Sequence, residues 1–156
     1  MGQVKGRVYD LDFLSFAGYV QVLLEGGAEP FQTSSTRLLR LLQVGLKTGF
    51  DTTIWYPDSD CTSPPAALLA VMVEADATVS TKPGYVTMLS FDARTSQGST
   101  NISNKDNGLD TYIVLNPLAQ EILEAAMLLN FPTTYLEADS HKQITRVKVN
   151  TTGEGS

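Results

Sequence analysis

The segment LLQVGLKTGFDTT at residues 41–53 has a close counterpart in ILEAAMLLNFPTT at 122–134. In each, apolar residues at helical spacing run into Gly49 or Asn130, then a phenylalanine and a Thr-Thr pair. Glycine and asparagine are the residues that most readily take the left-handed conformation at a helix end. Paired β-branched threonines suit an extended run. Pro132 reinforces the second stop, because proline cannot continue a helix. The local pattern is helix, stop, strand, and it occurs twice.

The likeness extends outward from this pair. GRVYDLDF at 6–13 is matched by GYVTMLSF at 84–91, YVQVLL at 19–24 by YIVL at 112–115, and LAVMVE at 69–74 by ITRVKVN at 144–150. The spacing between partners varies, as expected when loops differ and fixed elements do not. Four elements in one order predict a tandem duplication of a unit of about 75 residues. Residues 1–76 form the first unit, 77–150 the second, and 151–156 a disordered tail. Each unit reads strand, strand, helix, strand, strand, which is an α+β chain with mainly β content.

Within a unit, Tyr9, Leu11 and Phe13 alternate with Val8, Asp10 and Asp12, the period of a half-buried strand. The Thr33-Ser34-Ser35-Thr36 cluster offers a helix N-cap, and Leu38, Leu42, Gly45 and Leu46 follow at helical spacing. Asn116 caps the second helix, with Pro117 at its first position. Leu118, Ile122, Ala125, Ala126 and Leu129 are expected to form its buried stripe. The stretch 94–110, rich in Ser, Thr and Asn, is expected to be a hairpin loop inserted in the second unit.

The stretch TRLLRLLQVGLKTGFDTTIWYPDSDCTSPPAALLAVMVEA, residues 36–75, joins an amphipathic helix to a strand, a polar loop and a small-apolar strand. That order resembles the oligonucleotide/oligosaccharide-binding (OB) barrel in the B subunits of bacterial AB-type pentameric toxins. The resemblance covers about forty residues of each unit and implies an OB-like barrel; no binding residue carries over. It departs from those subunits in lacking a signal peptide and a disulfide. A ferredoxin-like or clamp-like sheet with helices on one face is the alternative architecture.

Eleven Lys and Arg stand against 17 Asp and Glu, a net charge of −6 that both units share. Long-range repulsion of phosphate argues against nucleic acid as a partner. Single-strand binding on an OB-like surface would also need aromatics among basic residues, and beyond Arg7 beside Tyr9 that interleaving is missing. The single cysteine, Cys61, excludes an internal disulfide and any multi-cysteine zinc site. No apolar run of membrane-spanning or signal-peptide length occurs. The expected location is cytoplasmic, with secretion only if a leader has been removed, and no membrane partner is expected.

Trp55 and Tyr56 are adjacent on a predicted strand, so one should face the core and the other solvent. An exposed aromatic there, with Asp58 and Asp60 in the following loop, is the candidate ligand-binding group. Asp58 and Asp60 also raise the cost of a Cys61 thiolate, which disfavours a nucleophilic cysteine. The NKDNG stretch does not fit a calcium loop, because Lys105 falls on a ligand position. His141, the only histidine, stands in a turn beside Asp139 and Ser140, an arrangement unsuited to a triad. No catalytic residue, metal site or cofactor is expected. The sequence favours a non-catalytic binding or assembly protein, a ring-like homo-oligomer presenting loops to a small molecule, glycan or protein. The alternative is an enzyme with a carboxylate and hydroxyl site in the groove between the units.

Overall fold

The computed structural model describes residues 1–27, 29–58, 65–76 and 82–151. Helix α1 (Thr36–Thr48) begins where Ser35 accepts a hydrogen bond from the Leu38 N–H. It ends at Gly49, whose φ of 73° closes the last turn onto the Gly45 carbonyl at 2.9 Å. Helix α2 (Pro117–Leu129) repeats these devices: Asn116 accepts from the Leu118 N–H, and Asn130 stops the helix at φ 57°. Both helices have 13 residues. The caps are local chemistry, and they lie where the sequence places them.

The strands are β1 (Gly2–Gly6), β2 (Val8–Leu14), β3 (Tyr19–Leu24), β4 (Phe31–Thr33), β5 (Asp51–Tyr56), β6 (Ala66–Ala67), β7 (Ala70–Glu74), β8 (Val86–Asp92), β9 (Gln97–Ser103), β10 (Leu109–Val114), β11 (Thr133–Ala138) and β12 (Ile144–Val149). The chain is α+β and mainly β. One sheet has six strands in the order β1-β5-β7-β8-β9-β10, antiparallel throughout. A second has the order β2-β3-β4-β6, and β11 pairs with β12 in a third. A parallel bridge from Ile113 to Gln143 ties β10 to the start of β12.

The two helices contact each other and lie side by side on one face of the six-stranded sheet. Leu38, Leu41, Leu42 and Val44 of α1 and Leu123, Ala126 and Met127 of α2 meet Val71, Val73, Leu89 and Phe91 in one core. The four-stranded sheet flanks α1, through β2, and the β11–β12 hairpin flanks α2. The expected division at residues 76 and 77 falls between β7 and β8, which are neighbours in one sheet.

Three expectations are corrected. No OB-like barrel closes among the described residues: β1 and β10 end the sheet, and the hairpin β5–β7 is extended by β8 from the other half of the chain. The stretch 94–110 is no inserted loop. It contains β9, a strand between β8 and β10 whose Gly98, Thr100 and Ile102 point inward. Polar residues conceal it, yet Thr100 is satisfied by donating to the Met88 carbonyl at 2.8 Å. The third correction concerns strand β2. A bulge between Val8 and Asp10 shifts the side-chain parity, burying Val8 while Tyr9 is exposed.

Candidate functional site

The outer face of the six-stranded sheet, away from the helices, holds a cleft of about 330 Å³. Strands β5, β7, β8 and β9 supply it by simple alternation, since every residue out of phase with the core points there. Trp55, Met72 and Met88 give it apolar walls, and Ser90, Ser99 and Arg94 give it polar ones. The Ser90 and Ser99 hydroxyls bond each other at 2.5 Å. Arg94 is held by Asp92, with Nε–Oδ1 at 3.0 Å and Nη2–Oδ2 at 2.8 Å. This hydrogen-bonded pairing lowers the Asp92 carboxyl below the ordinary aspartate value and raises the Arg94 guanidinium.

The structure separates the predicted binding residues. Trp55 lines the cleft, whereas Tyr56 turns to the other side and packs on Phe31 with ring centroids 4.8 Å apart. Asp58 lies beyond the strand, its carboxylate against the Met1 amino group, and Met1 itself borders the cleft. Asp60 and Cys61 lie outside the described residues. Met72, Met88 and Ser90 were not singled out from the sequence, although their parity on β7 and β8 marks them as outward. In the cleft Ser90 bonds Ser99 and Arg94 bonds Asp92, and no imidazole lines it. His141 is in the turn between β11 and β12, where Asp139 accepts from the backbone N–H groups of His141 and Gln143. That carboxylate serves the turn.

Three strand carboxylates, Asp10, Asp12 and Asp92, do not converge on one site. Asp92 is on the six-stranded sheet, while Asp10 and Asp12 are exposed on β2 of another sheet. The α1–α2 seam carries a different polar cluster. Glu124, 3% exposed, accepts from Arg40 Nε at 2.8 Å and from Gln120 Nε2 at 2.7 Å. Arg40 also pairs with Glu121 at 2.8 Å. Arg37 Nε donates to Gln120 at 2.7 Å, and its guanidinium lies over the Phe91 ring at 3.9 Å. Burial lowers the Arg37 pKa, with Glu124 opposing that shift, and its Nη2 is buried without a hydrogen-bond partner.

This cluster decides which face of α2 is buried, and overturns the expected stripe except at Ala126. Gln120, Leu123, Glu124, Ala126 and Met127 are inside. Leu118, Ile122 and Leu129 are 68%, 43% and 60% exposed, and Ala125 between them is exposed too. Four apolar residues at spacings of four, three and four thus form a stripe facing solvent. Between that stripe and β12 runs a groove of about 510 Å³, with Ile144, Arg146 and Val147 on its far wall. Arg146 lies over the Tyr135 ring at 4.6 Å.

No helix among the described residues is long and apolar enough to cross a membrane. No protein-family model matches the chain, and no curated protein or solved structure matches it significantly.

Proposed function

We propose that the protein is a non-catalytic assembly or binding protein that works as a symmetric, ring-like homo-oligomer. The observation that supports this is the solvent-facing stripe Leu118, Ile122, Ala125 and Leu129 on α2. A contiguous apolar surface of this kind marks an interface more often than a bare surface. Covering one such large side chain contributes on the order of 1–2 kcal/mol. The surrounding acidity, a net charge of −6, keeps free chains apart unless their contact is specific.

In this reading the cleft beside Trp55 stays open on the opposite side of the molecule. It is the seat for a flat apolar group carried by a small molecule, a glycan or a peptide, received against Trp55, Met72 and Met88. The equal lengths and matching caps of α1 and α2 support descent from a duplicated unit. A cytoplasmic location belongs to the same proposal.

The test is the solution mass by light scattering behind a sizing column, across a concentration series. A stable multiple of the chain mass is expected. A monomer at every concentration rejects the proposal.

A further inference from the structure

We infer, resting on the assembly reading above, that the β2–β3 hairpin of one chain docks into the α2–β12 groove of a second copy in a head-to-tail contact. The hairpin carries two of the most exposed aromatic side chains on the surface, Phe13 at 68% and Phe16 at 88%. Phe16 stands at the turn, held out by the Ala17 and Gly18 N–H groups closing onto the Leu14 carbonyl at 3.1 and 2.8 Å. It projects away from the core that Leu11 and Val22 join. Leu118 and Ile122 offer the complementary surface, lining a groove large enough for an aromatic side chain.

Hairpin and groove lie at opposite edges of the six-stranded sheet. Strand β2 follows directly from β1, one edge, and the Glu25 N–H bonds the Arg7 carbonyl at that junction. Strand β12 is joined to β10, the other edge, by the Ile113–Gln143 bridge and by the Ile113 N–H donating to the Lys142 carbonyl at 2.8 Å. A two-fold contact buries both only by seating each hairpin in the other chain's groove about one axis, which places that axis close to both patches, and here they adjoin opposite edges of the sheet. A heterologous contact buries both, and it closes into a ring when the rotation between neighbours permits.

Charge agrees with this pairing. Asp10 and Asp12 are exposed on the hairpin, with Arg7 at its base. Arg146 stands in the groove wall with Lys142 on the turn before it, and Arg146 faces Glu137 across the β11–β12 pair. Asp10 and Asp12 against Arg146 and Lys142 set the orientation of the contact.

The experiment uses two single variants of the full chain, Phe16→Ser and Leu118→Glu, each with a melting temperature matched to the wild type. Each change weakens self-association by about 30-fold or more, as expected for a central interface residue. Each variant alone is then expected to run as a monomer. Mixed in equal amounts they form a two-chain species, because one keeps an intact groove and the other an intact hairpin. Phe13→Ser with Ile122→Glu repeats the test at independent positions. Persistent assembly of Phe16→Ser, or a mixture that stays monomeric, overturns the head-to-tail pairing while leaving the oligomer itself standing. A wild-type monomer overturns both.

Discussion

Glu124 of α2 accepts a hydrogen bond from Arg40 of α1 at 2.8 Å, and the two residues are 84 apart in the chain. The contact holds a carboxylate in the interior and turns Leu118 and Ile122 toward water. Glu124→Ala leaves the Gln120 amide short of an acceptor, and should cost about 1–3 kcal/mol in urea unfolding. Arg40 keeps its exposed partner Glu121. Glu121→Ala, which removes only a surface pair, should cost under about 1 kcal/mol by the same assay.

Gly45→Ala should destabilise the protein, although alanine is the better helix former by about 1 kcal/mol. A Cβ at Gly45 would lie 2.4 Å from the Thr52 hydroxyl and 3.5 Å from a Val8 methyl. Thr52 is fully buried, so the hydroxyl has little room to move. Overpacking of this sort costs about 1–3 kcal/mol. Gly45→Ala in a Thr52→Ala background should recover most of the loss. Thermal unfolding of the four-member mutant cycle checks this.

The two helix stops should respond in opposite senses. Gly49 has φ 73° with open space where a side chain would go, so Gly49→Ala meets only backbone strain. It should cost about 1 kcal/mol. Asn130, at φ 57°, already bears that strain in part. Asn130→Gly should be neutral or stabilising by a few tenths, on the order of 0.3 kcal/mol, in denaturant titrations.

Acid should undo the Asp92–Arg94 pair in a defined window. The hydrogen bond from Arg94 lowers the Asp92 carboxyl below its ordinary value of 3.8. A depressed carboxylate contributes fully above the unfolded value, and loses that contribution as pH falls through the lower folded one. The stability advantage of wild type over Arg94→Ala should therefore be level at neutral pH and begin to shrink near pH 3.8. Carbon-detected NMR of the Asp92 carboxyl should show it titrating higher in Arg94→Ala.

What the two helices share was legible in the sequence because capping is local. Ser35 and Gly49 close α1, and Asn116 and Asn130 close α2, each through groups within a few residues. The opposite directions of Trp55 and Tyr56 were legible for the same reason, since a strand alternates whatever it packs on. Strand β9 was not. Its two serines, threonine, asparagine and glycine read as a loop, and only pairing with β8 and β10 on both sides satisfies their backbone.

The phase of α2 lies furthest from sequence-level view. Leu118, Ile122, Leu123, Ala125, Ala126, Met127, Leu128 and Leu129 place apolar groups almost all around the helix, so hydrophobic periodicity selects no face. The choice falls to Gln120 and Glu124, which are buried because Arg37 and Arg40 arrive from α1 with their hydrogen bonds. The two helices, their caps and the alternation of Trp55 and Tyr56 follow from neighbouring residues, and the chain alone determined them. Which face is covered depends on partners more than eighty residues away, because the desolvation of a buried carboxylate is offset only where a cation is brought to it. That decision belonged to the tertiary structure.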